Sequence, residues 1–169
     1  MKFIADGMLG KLTRWLRMLG QDVVYRVELD DNQLLDLAKA ESRVLLTKDL
    51  ALYRRAMGRG LDAFYVEEKT EPERLANVAQ RYGVALSVNM DKSHCPVCNT
   101  LLKPVDKEEL RKLLEPNTYN FYECFWRCPK CGQIYWQGAH WKQIMNTLSE
   151  AQKAQTKLSH ARIKEQKMH

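Results

Sequence analysis

The chain has 169 residues, of which 45% are hydrophobic and 28% are charged, and its formal net charge is +6 at pH 7. A chain of this size can bury one moderate core and a small satellite domain. No apolar run is long enough to span a bilayer, and Asp6 interrupts the apolar start where a targeting peptide would continue. We therefore expect a cytoplasmic protein that does not enter a membrane, and the positive charge favours a polyanionic partner.

Four short apolar runs in the first half of the chain predict buried strands, with amphipathic helical segments between them. The runs are Phe3-Ile4-Ala5, Val23-Val24-Tyr25, Val44-Leu45-Leu46 and Ala63-Phe64-Tyr65-Val66. The helix after the first run ends near Gly20, and the helix after the last run begins at Glu71-Pro72-Glu73 and ends at Gly83. This alternation predicts a three-layer α/β domain with a mostly parallel sheet over about residues 1–90.

Three aspartates occupy positions where this fold could place chemistry. Asp6 follows the first predicted strand, Asp49 follows the third, and Asp31, beside Asp30, begins the second helix. Ligands bind beyond the carboxyl ends of parallel strands at the point where strand order reverses, so Asp6 and Asp49 are expected to converge there. Clustered carboxylates repel one another unless a cation lies between them, and hard oxygen ligands suit Mg²⁺ or Mn²⁺. An isolated Asp at a strand end more often caps a helix or forms a turn.

Basic residues accompany these acids. The candidates for phosphate contacts are Lys11, Arg14, Arg17 and Lys48. The first three recur at three-residue intervals along the first helix, which begins soon after Asp6. A cationic strip leading to an acidic site is typical of phosphate-backbone binding, and a solvated helix face is the alternative. Thr47, before Lys48, is a candidate for orienting a carboxylate.

Two C-P-x-C motifs, Cys95-Pro96-Val97-Cys98 and Cys128-Pro129-Lys130-Cys131, predict a zinc ribbon after the α/β domain. Each motif is followed by a turn-forming residue, Asn99 or Gly132, and four thiolates on two tight turns supply a tetrahedral Zn²⁺ site. The zinc would be structural, because four thiolates leave no open coordination position. Its removal is expected to unfold the ribbon before the α/β domain.

Alternatives to this ligand set stay open. Two disulfides are disfavoured because the chain has five cysteines, an odd number. Cys124, which has a C-x₃-C spacing to Cys128, is either a substitute ligand or an ordinary buried thiol, and His94 and His140 are weaker candidates for the ligand role. Between the two motifs, Lys107 to Leu114 is expected to form a short charged helix or turn that Pro116 stops.

The remaining features lie around and after the ribbon. The aromatic side chains Trp126, Tyr135, Trp136 and Trp141 either stack on unpaired bases or, as we favour, pack the ribbon against the first domain. The segment after His140 is patterned as a helix, and residues 151–169 hold five Lys or Arg against one Glu, a net of +4. The sequence therefore predicts a second unit, residues 91–169, made of a zinc ribbon and a basic trailing helix.

Several ordered motifs together resemble the Mut7-C RNase domain family. They are Ala5-Asp-Gly-Met-Leu-Gly-Lys-Leu-Thr-Arg-Trp-Leu-Arg-Met-Leu-Gly20, Arg43-Val-Leu-Leu-Thr-Lys-Asp49, Phe125-Trp-Arg-Cys-Pro-Lys-Cys-Gly-Gln-Ile-Tyr-Trp136 and Gly138-Ala-His-Trp141, and they span about residues 1–145. The resemblance implies a PIN-like, metal-dependent ribonuclease with a C-terminal zinc ribbon. It places Asp6, Asp31 and Asp49 at the acidic positions, with the adjacent Asp30 as an alternative to Asp31, and it places Arg14 and Arg17 at the basic positions.

The predicted function is therefore Mg²⁺- or Mn²⁺-dependent cleavage of RNA by a metal-activated water, with structural zinc in the ribbon. PIN-like nucleases often have a fourth acid, for which Asp62, Glu67 and Glu68 are the nearby candidates. One alternative is a non-catalytic RNA-binding module that uses the ribbon and the basic tail. Another is an adaptor whose terminal helix docks a protein partner, such as a ribosomal or RNA-processing component.

Overall fold

The first half of the chain folds as the predicted alternation of strands and helices. A computed structural model describes residues 1–168. The strands are β1 Lys2–Ala5, β2 Asp22–Tyr25, β3 Val44–Thr47 and β4 Ala63–Tyr65. The helices that follow them in turn are α1 Gly10–Met18, α2 Asp31–Ala40, α3 Leu50–Gly58 and α4 Glu71–Tyr82. The α/β fold class is confirmed, and the PIN-like assignment stays a prediction.

The four strands form one parallel sheet in the order β2-β1-β3-β4. The chain moves from β1 to one side to form β2 and then crosses to the other side of β1 to form β3. The strand order thus reverses between β1 and β3, whose residues Phe3–Ala5 pair with Val44–Leu46. This pair of strands is the switch point at which open parallel sheets bind ligands.

Alternate strand residues serve two hydrophobic cores on opposite faces of the sheet. Phe3, Ala5 and Leu46 pack with the apolar faces of α1 and α4. Ile4 and Leu45 pack with α2 and α3. All five side chains are at most 1% exposed. Because full burial of a Leu or Ile contributes about 1.5–3 kcal/mol, the sheet is held from both sides as the three-layer prediction requires.

Local capping explains where the second helix begins. The Asp30 carboxylate accepts a hydrogen bond from the Gln33 backbone N–H at 2.9 Å, and the Gln33 side chain accepts one from the Asp30 N–H at 2.9 Å. This reciprocal capping box makes Asp30 the N-cap of α2. Asp31 lies in the first turn, so its carboxylate is not used by the cap.

The ribbon is a small antiparallel sheet with two short helical segments. Its strands are β5 Lys103–Val105, β6 Phe125–Arg127 and β7 Ile134–Tyr135, in the order β5-β6-β7. A 3₁₀ turn covers Lys107–Leu110, and α5 covers Pro116–Phe121. Pro116 therefore begins a helix instead of stopping one, because a residue without an N–H is tolerated in the first turn.

Three aromatic side chains of the second unit pack within the ribbon and against the connector that precedes it. Trp126, Tyr135 and Trp141 lie against a buried cluster that contains Met90 and Leu102. The Trp126 indole N–H donates to the Asp91 carboxylate at 2.9 Å. These three side chains are therefore packed rather than free, and their contact with the α/β domain stays a prediction.

The last helix, α6 Trp141–Lys167, returns to the α/β domain and packs along α4. Leu148 and Ala151 are buried in the core that α4 shares with the sheet, and Ile144 packs against it. The Gln152 amide donates to the Leu86 carbonyl at 2.9 Å. The apolar side of α6 is thus covered by the chain itself around Ile144, Leu148 and Ala151. Within residues 1–168, no helix is both long and apolar enough to cross a membrane.

Candidate functional site

The carboxyl edge of the sheet brings the segments of Asp6 and Asp49 together. The Asp6 backbone N–H donates to the Leu46 carbonyl at 3.1 Å, which continues the β1–β3 pairing past Ala5. The Lys48 N–H then donates to the Asp6 carboxylate at 3.0 Å. The convergence of these two strand ends, predicted from their positions after β1 and β3, is confirmed.

Asp6 is only 6% exposed and is richly hydrogen-bonded. Its carboxylate accepts from the Met8 N–H at 2.8 Å, from the Lys48 N–H and from the Thr47 hydroxyl. The Thr47 hydroxyl oxygen in turn accepts from the Asp49 N–H at 2.9 Å. Thr47 therefore orients the Asp6 carboxylate and ties it to the start of α3. Since a carboxylate offers about four lone-pair sites, one acceptor position on Asp6 is left over.

Asp49 is exposed and acts as the N-cap of α3. One carboxylate oxygen, Oδ1, accepts from the Ala51 N–H at 2.8 Å and from the Leu52 N–H at 3.1 Å. Over residues 1–168, the other oxygen accepts no hydrogen bond. Asp49 thus combines a capping role with one carboxylate oxygen that is open to a ligand.

Asp31 is exposed and forms an ion pair with Arg55 of α3, at 3.0 Å. In the described part of the chain, the four cysteines Cys95, Cys98, Cys128 and Cys131 are the only group of three or more potential metal-ligand side chains whose donor atoms lie within 4.8 Å of one another. The oxygens of Asp6, Asp31 and Asp49 are therefore not gathered into one such cluster. Asp6 and Asp49 are linked through Thr47 and Lys48, whereas Asp31 has a partner of its own.

The candidates for a fourth acid lie at opposite ends of β4. Asp62 precedes the strand and accepts a hydrogen bond from the Tyr82 hydroxyl at 3.0 Å, so it lies at the amino end, away from Asp6. Glu67 and Glu68 follow the strand at the carboxyl end. Burial raises the pKa of the Glu68 carboxyl, and its Oε2 atom is buried without a hydrogen-bond partner.

The basic candidates separate into exposed and buried side chains. Lys11 and Arg14 are exposed on α1, and Lys48 is half-buried beside Asp49. Arg17 is 5% exposed, and its guanidinium donates to the carbonyls of Val23 and Pro96, each at 2.8 Å. Burial lowers the pKa of Arg17.

The placement of Arg17 corrects the expectation that it faces RNA beside Lys11 and Arg14. An α-helix turns about 100° per residue, so two steps of three residues displace Arg17 by about 120° from Lys11. The series therefore passes from the exposed side of α1 into the interior. Arg17 instead joins β2 to the first cysteine turn.

The two cysteine motifs form matching turns. The Asn99 N–H donates to the Cys95 carbonyl at 2.8 Å, and the Gly132 N–H donates to the Cys128 carbonyl at 3.0 Å. Asn99 and Gly132 both have positive φ, 68° and 79°. Only glycine adopts this conformation freely, and asparagine is the next most tolerant type, so the turn-forming residues noted in the sequence have a steric basis.

The four thiols have the spacing of a tetrahedral metal site. The Sγ atoms of Cys98 and Cys128 are 3.3 Å apart, and those of Cys95 and Cys131 are 3.7 Å apart. Zinc–sulfur bonds of about 2.3 Å in a tetrahedron place sulfurs about 3.8 Å apart. The four cysteines can therefore bind a structural metal such as zinc. Cys124 lies outside the group, as do His94 and His140.

The ionisation of these thiols also favours a bound cation. Burial opposes ionisation of Cys98, but hydrogen bonds with Thr100 and Cys128 outweigh it and lower its pKa to about 6. At Cys131, a hydrogen bond from the Gln133 backbone favours the thiolate, but burial and the neighbouring thiols raise the pKa to about 12. Ionisation of one thiol thus disfavours ionisation of its neighbours until a cation neutralises the thiolates.

Sequence reasoning missed the junction between the first cysteine turn and the α/β domain. The Asn99 side chain accepts from the Val23 N–H at 2.9 Å and donates to the Asp22 carboxylate at 2.6 Å. The His94 N–H donates to the Arg17 carbonyl at 2.8 Å, and the Ser93 hydroxyl donates to the Met18 carbonyl at 2.7 Å. The sequence did offer one indication of this junction: the first motif has Asn99, whose side chain can form hydrogen bonds, at the turn position where the second motif has Gly132.

Comparison with known proteins identifies the family. No curated protein and no solved structure matches the chain. The family model described as the Mut7-C RNAse domain matches residues 1–148, which include both the acidic edge of the sheet and the four cysteines. The matched segment ends within α6, so the basic remainder of that helix lies beyond it. With a match over most of its length, the chain belongs to the Mut7-C RNAse domain family.

Proposed function

We propose that this protein is a divalent-metal-dependent endoribonuclease whose active site is the carboxyl edge of the parallel sheet. Membership in an RNAse domain family supports a nuclease-like function that acts on RNA. The single observation that carries the site is the adjacency of β1 and β3, which joins the segments of Asp6 and Asp49 through Thr47 and Lys48. Parallel sheets bind ligands at this position.

The residues at this edge fit a hard cation such as Mg²⁺ or Mn²⁺. Asp49 offers one oxygen without a hydrogen bond, and Asp6 keeps one lone-pair position after three hydrogen bonds. Mg²⁺ retains several waters and needs only one or two protein carboxylates, so a wider cage is not required. A bound ion would supply a water of lowered pKa and neutralise charge on the scissile phosphate.

Asp31 is the third proposed ligand, and its present partner does not preclude that role. Both members of the Asp31–Arg55 pair are about half exposed. Exposed ion pairs contribute about 0–1 kcal/mol, so the carboxylate can leave Arg55 at little cost when a cation binds. The freed carboxylate would then be available to a cation, since Asp31 already contacts the helix that Asp49 begins.

The exposed cations beside this edge would hold the RNA backbone. Lys11 and Arg14 lie on α1, whose first turn follows the Asp6 loop, and Lys48 directly precedes Asp49. Contacts of this kind fix the position of the chain and carry no sequence information. We therefore expect cleavage of single-stranded or structured RNA without strong base preference from these residues.

A non-catalytic RNA-binding module is the second candidate. It is favoured by the separation of Asp31 from the other two acids and by the three hydrogen bonds that Asp6 already accepts. In such a protein the acidic edge would be structural: Asp6 would close the β1 loop, and Asp49 would only cap α3.

The experiment that separates these functions is cleavage of a labelled RNA in Mn²⁺ by wild-type protein and an Asp49→Asn variant. Asparagine keeps the capping acceptor but removes the charge that a hard cation requires, so cleavage should fall by orders of magnitude while RNA binding persists. Asp106→Asn is the matched control, because Asp106 also caps a helical turn, through the Glu108 N–H at 3.1 Å. Equal cleavage by wild type and Asp49→Asn would indicate a contaminating nuclease and support the binding module.

A further inference from the structure

A second cationic surface lies on the ribbon, apart from the acidic edge of the sheet. Lys103 of β5 is paired in register with Arg127 of β6, so two positive side chains stand directly opposite each other. Lys130, in the second cysteine turn, lines the same groove, which has a volume of about 480 Å³. We call these three residues the ribbon groove. No acidic residue lines it in the described part of the chain.

The three cations of the ribbon groove form no ion pair with an Asp or Glu side chain within residues 1–168, although Cys128 and Cys131 of the four-cysteine cluster also line the groove. Six other basic side chains form ion pairs there: Arg43, Arg55, Arg59, Arg74, Lys107 and Arg111. Lys103, Arg127 and Lys130 form none with the described acids. Like charges directly opposite each other on neighbouring strands are destabilising. A bound anion would therefore offset the repulsion between Lys103 and Arg127.

The geometry of Arg127 suits the binding of an anion that arrives from solvent. Its Nε donates to the Gly132 carbonyl at 3.3 Å, which holds the half-buried guanidinium over the second cysteine turn. Lys103 and Lys130 are exposed and line the same groove. A fixed guanidinium fork flanked by two mobile ammonium groups can contact more than one phosphate along a chain.

We propose that the ribbon groove binds the sugar–phosphate backbone of single-stranded RNA and holds the substrate while the sheet edge acts on it. This inference rests on the proposed function for the choice of RNA as the polyanion. It adds a second contact region, built on the metal-stapled ribbon, that is separate from Lys11, Arg14 and Lys48. It assigns the ribbon a substrate-binding role in addition to its structural one.

The test is the salt dependence of RNA binding by the full-length, zinc-loaded protein without Mn²⁺, so that no cleavage occurs. The Lys103→Gln/Lys130→Gln double variant removes two charges and leaves Arg127 and its hydrogen bond in place. If each lysine contacts one phosphate, the log–log slope for single-stranded RNA should become less steep by about 1.4. With equal affinity of the two proteins at 1 M salt, the same relation corresponds to about 25-fold weaker binding by the variant at 0.1 M salt.

The matched control is Lys92→Gln/Lys112→Gln, which removes two exposed lysines that form no ion pair with the described residues and lie outside the groove. It should leave the slope nearly unchanged. Zinc content equal to that of the wild type checks that the ribbon is folded in each variant. An unchanged slope in the groove variant, or an equal change in the control, would overturn the proposal.

The outcome also separates this inference from the proposed function. If the Asp49→Asn experiment shows no metal-dependent cleavage but the groove variant loses RNA affinity, the protein is a binding module and the groove assignment stands. If cleavage depends on Asp49 but the groove variant binds RNA as the wild type does, the nuclease stands and the groove has no role in RNA binding.

Discussion

The four-cysteine cluster and the acidic edge of the sheet are assembled in different ways. Each half of the cluster is one turn of a few residues, and its geometry repeats between Cys95–Asn99 and Cys128–Gly132. The acidic edge depends on the order of the strands and on the connections between them, because Asp6, Asp31 and Asp49 belong to three separate segments. A site formed by two local turns needs only that the turns come together. A site formed by the strand order uses residues that also have structural roles, such as capping a helix or closing a loop.

Those duties are visible at the acidic edge. Asp6 closes the loop after β1, Asp49 caps α3, and Asp31 pairs with Arg55. In the cluster, by contrast, Cys95 and Cys128 are fully buried and pack with Met90, Leu102 and the surrounding aromatic side chains. The cluster is thus specialised for one ligand, and the acidic edge combines folding with its proposed chemistry.

The largest effect should come from removing the metal of the cluster. Structural zinc sites contribute about 10–16 kcal/mol of binding free energy, and here the first turn is bonded to α1 and β2 through Arg17 and Asn99. We therefore expect chelation to weaken the α/β domain together with the ribbon, which revises the expectation from sequence that the ribbon unfolds before that domain. Hydrogen exchange measured by mass spectrometry should show loss of protection in residues 1–25 as well as 95–136.

Cys124→Ser provides the control for this experiment, since Cys124 is exposed and outside the cluster. It should leave zinc content and exchange unchanged. If chelation releases residues 95–136 while residues 1–25 keep their protection, the two regions are independent and the coupling inferred from the junction is wrong.

Next in size is the loss of the Arg17 guanidinium. Arg17→Met keeps an apolar stem but leaves the carbonyls of Val23 and Pro96 without their charged donor, which should cost about 3 kcal/mol. Urea unfolding measures this free energy. Arg14→Met, on the exposed side of the same helix, should change it by no more than about 0.5 kcal/mol and should instead weaken RNA binding. Equal stability of the Arg17→Met variant and wild type would contradict the structural role.

A smaller effect is expected at Asn99. Asn99→Gly relieves the positive φ but deletes the hydrogen bonds to Val23 and Asp22, so the net loss should be about 1–2 kcal/mol. The matched change in the second turn is Gly132→Asn, which should cost less than about 1 kcal/mol because asparagine tolerates this conformation. Thermal unfolding of the two variants, compared with wild type, checks the difference. A stable Asn99→Gly variant would mean that the two turns are interchangeable.

The smallest change in stability should accompany Asp31→Asn. This variant tests whether Asp31 belongs to the proposed metal site at the acidic edge. Asp31 and Asp36 both pair across α2 and α3, with Arg55 and Arg59 at 3.0 and 3.1 Å. Each substitution should cost no more than about 1 kcal/mol, since both pairs are exposed. RNA cleavage in Mn²⁺ should fall for Asp31→Asn and not for Asp36→Asn. An equal effect of the two variants on cleavage would remove Asp31 from the proposed site.

The parts of this fold that were predictable from sequence are those specified by local pattern. The strand and helix alternation follows from apolar periodicity, and the cysteine spacing identifies the cluster because both turns use the same few residues. The convergence of Asp6 and Asp49 was also predictable, because it requires only that β1 and β3 lie side by side. The family resemblance led to the same residues.

The features that escaped prediction depend on contacts between distant segments. Arg17 was grouped with Lys11 and Arg14 by its spacing, but its burial is decided by the cysteine turn some eighty residues later in the chain, at Pro96. Asp30 and Asp31 could not be told apart until the capping box with Gln33 was seen. The packing of α6 against α4 was also not predicted, because the apolar face of an amphipathic helix does not show which surface it packs against.

The junction at β2 has a consequence for the behaviour of the protein without its metal. β2 is an outer strand of the sheet, and the N–H and C=O of Val23 are taken by Asn99 and Arg17 instead of by another strand. Unprotected strand edges recruit strands of other molecules. The cysteine turn therefore shields the sheet from self-association, and a protein stripped of zinc should aggregate in a concentration-dependent way through β2 before its helices are lost.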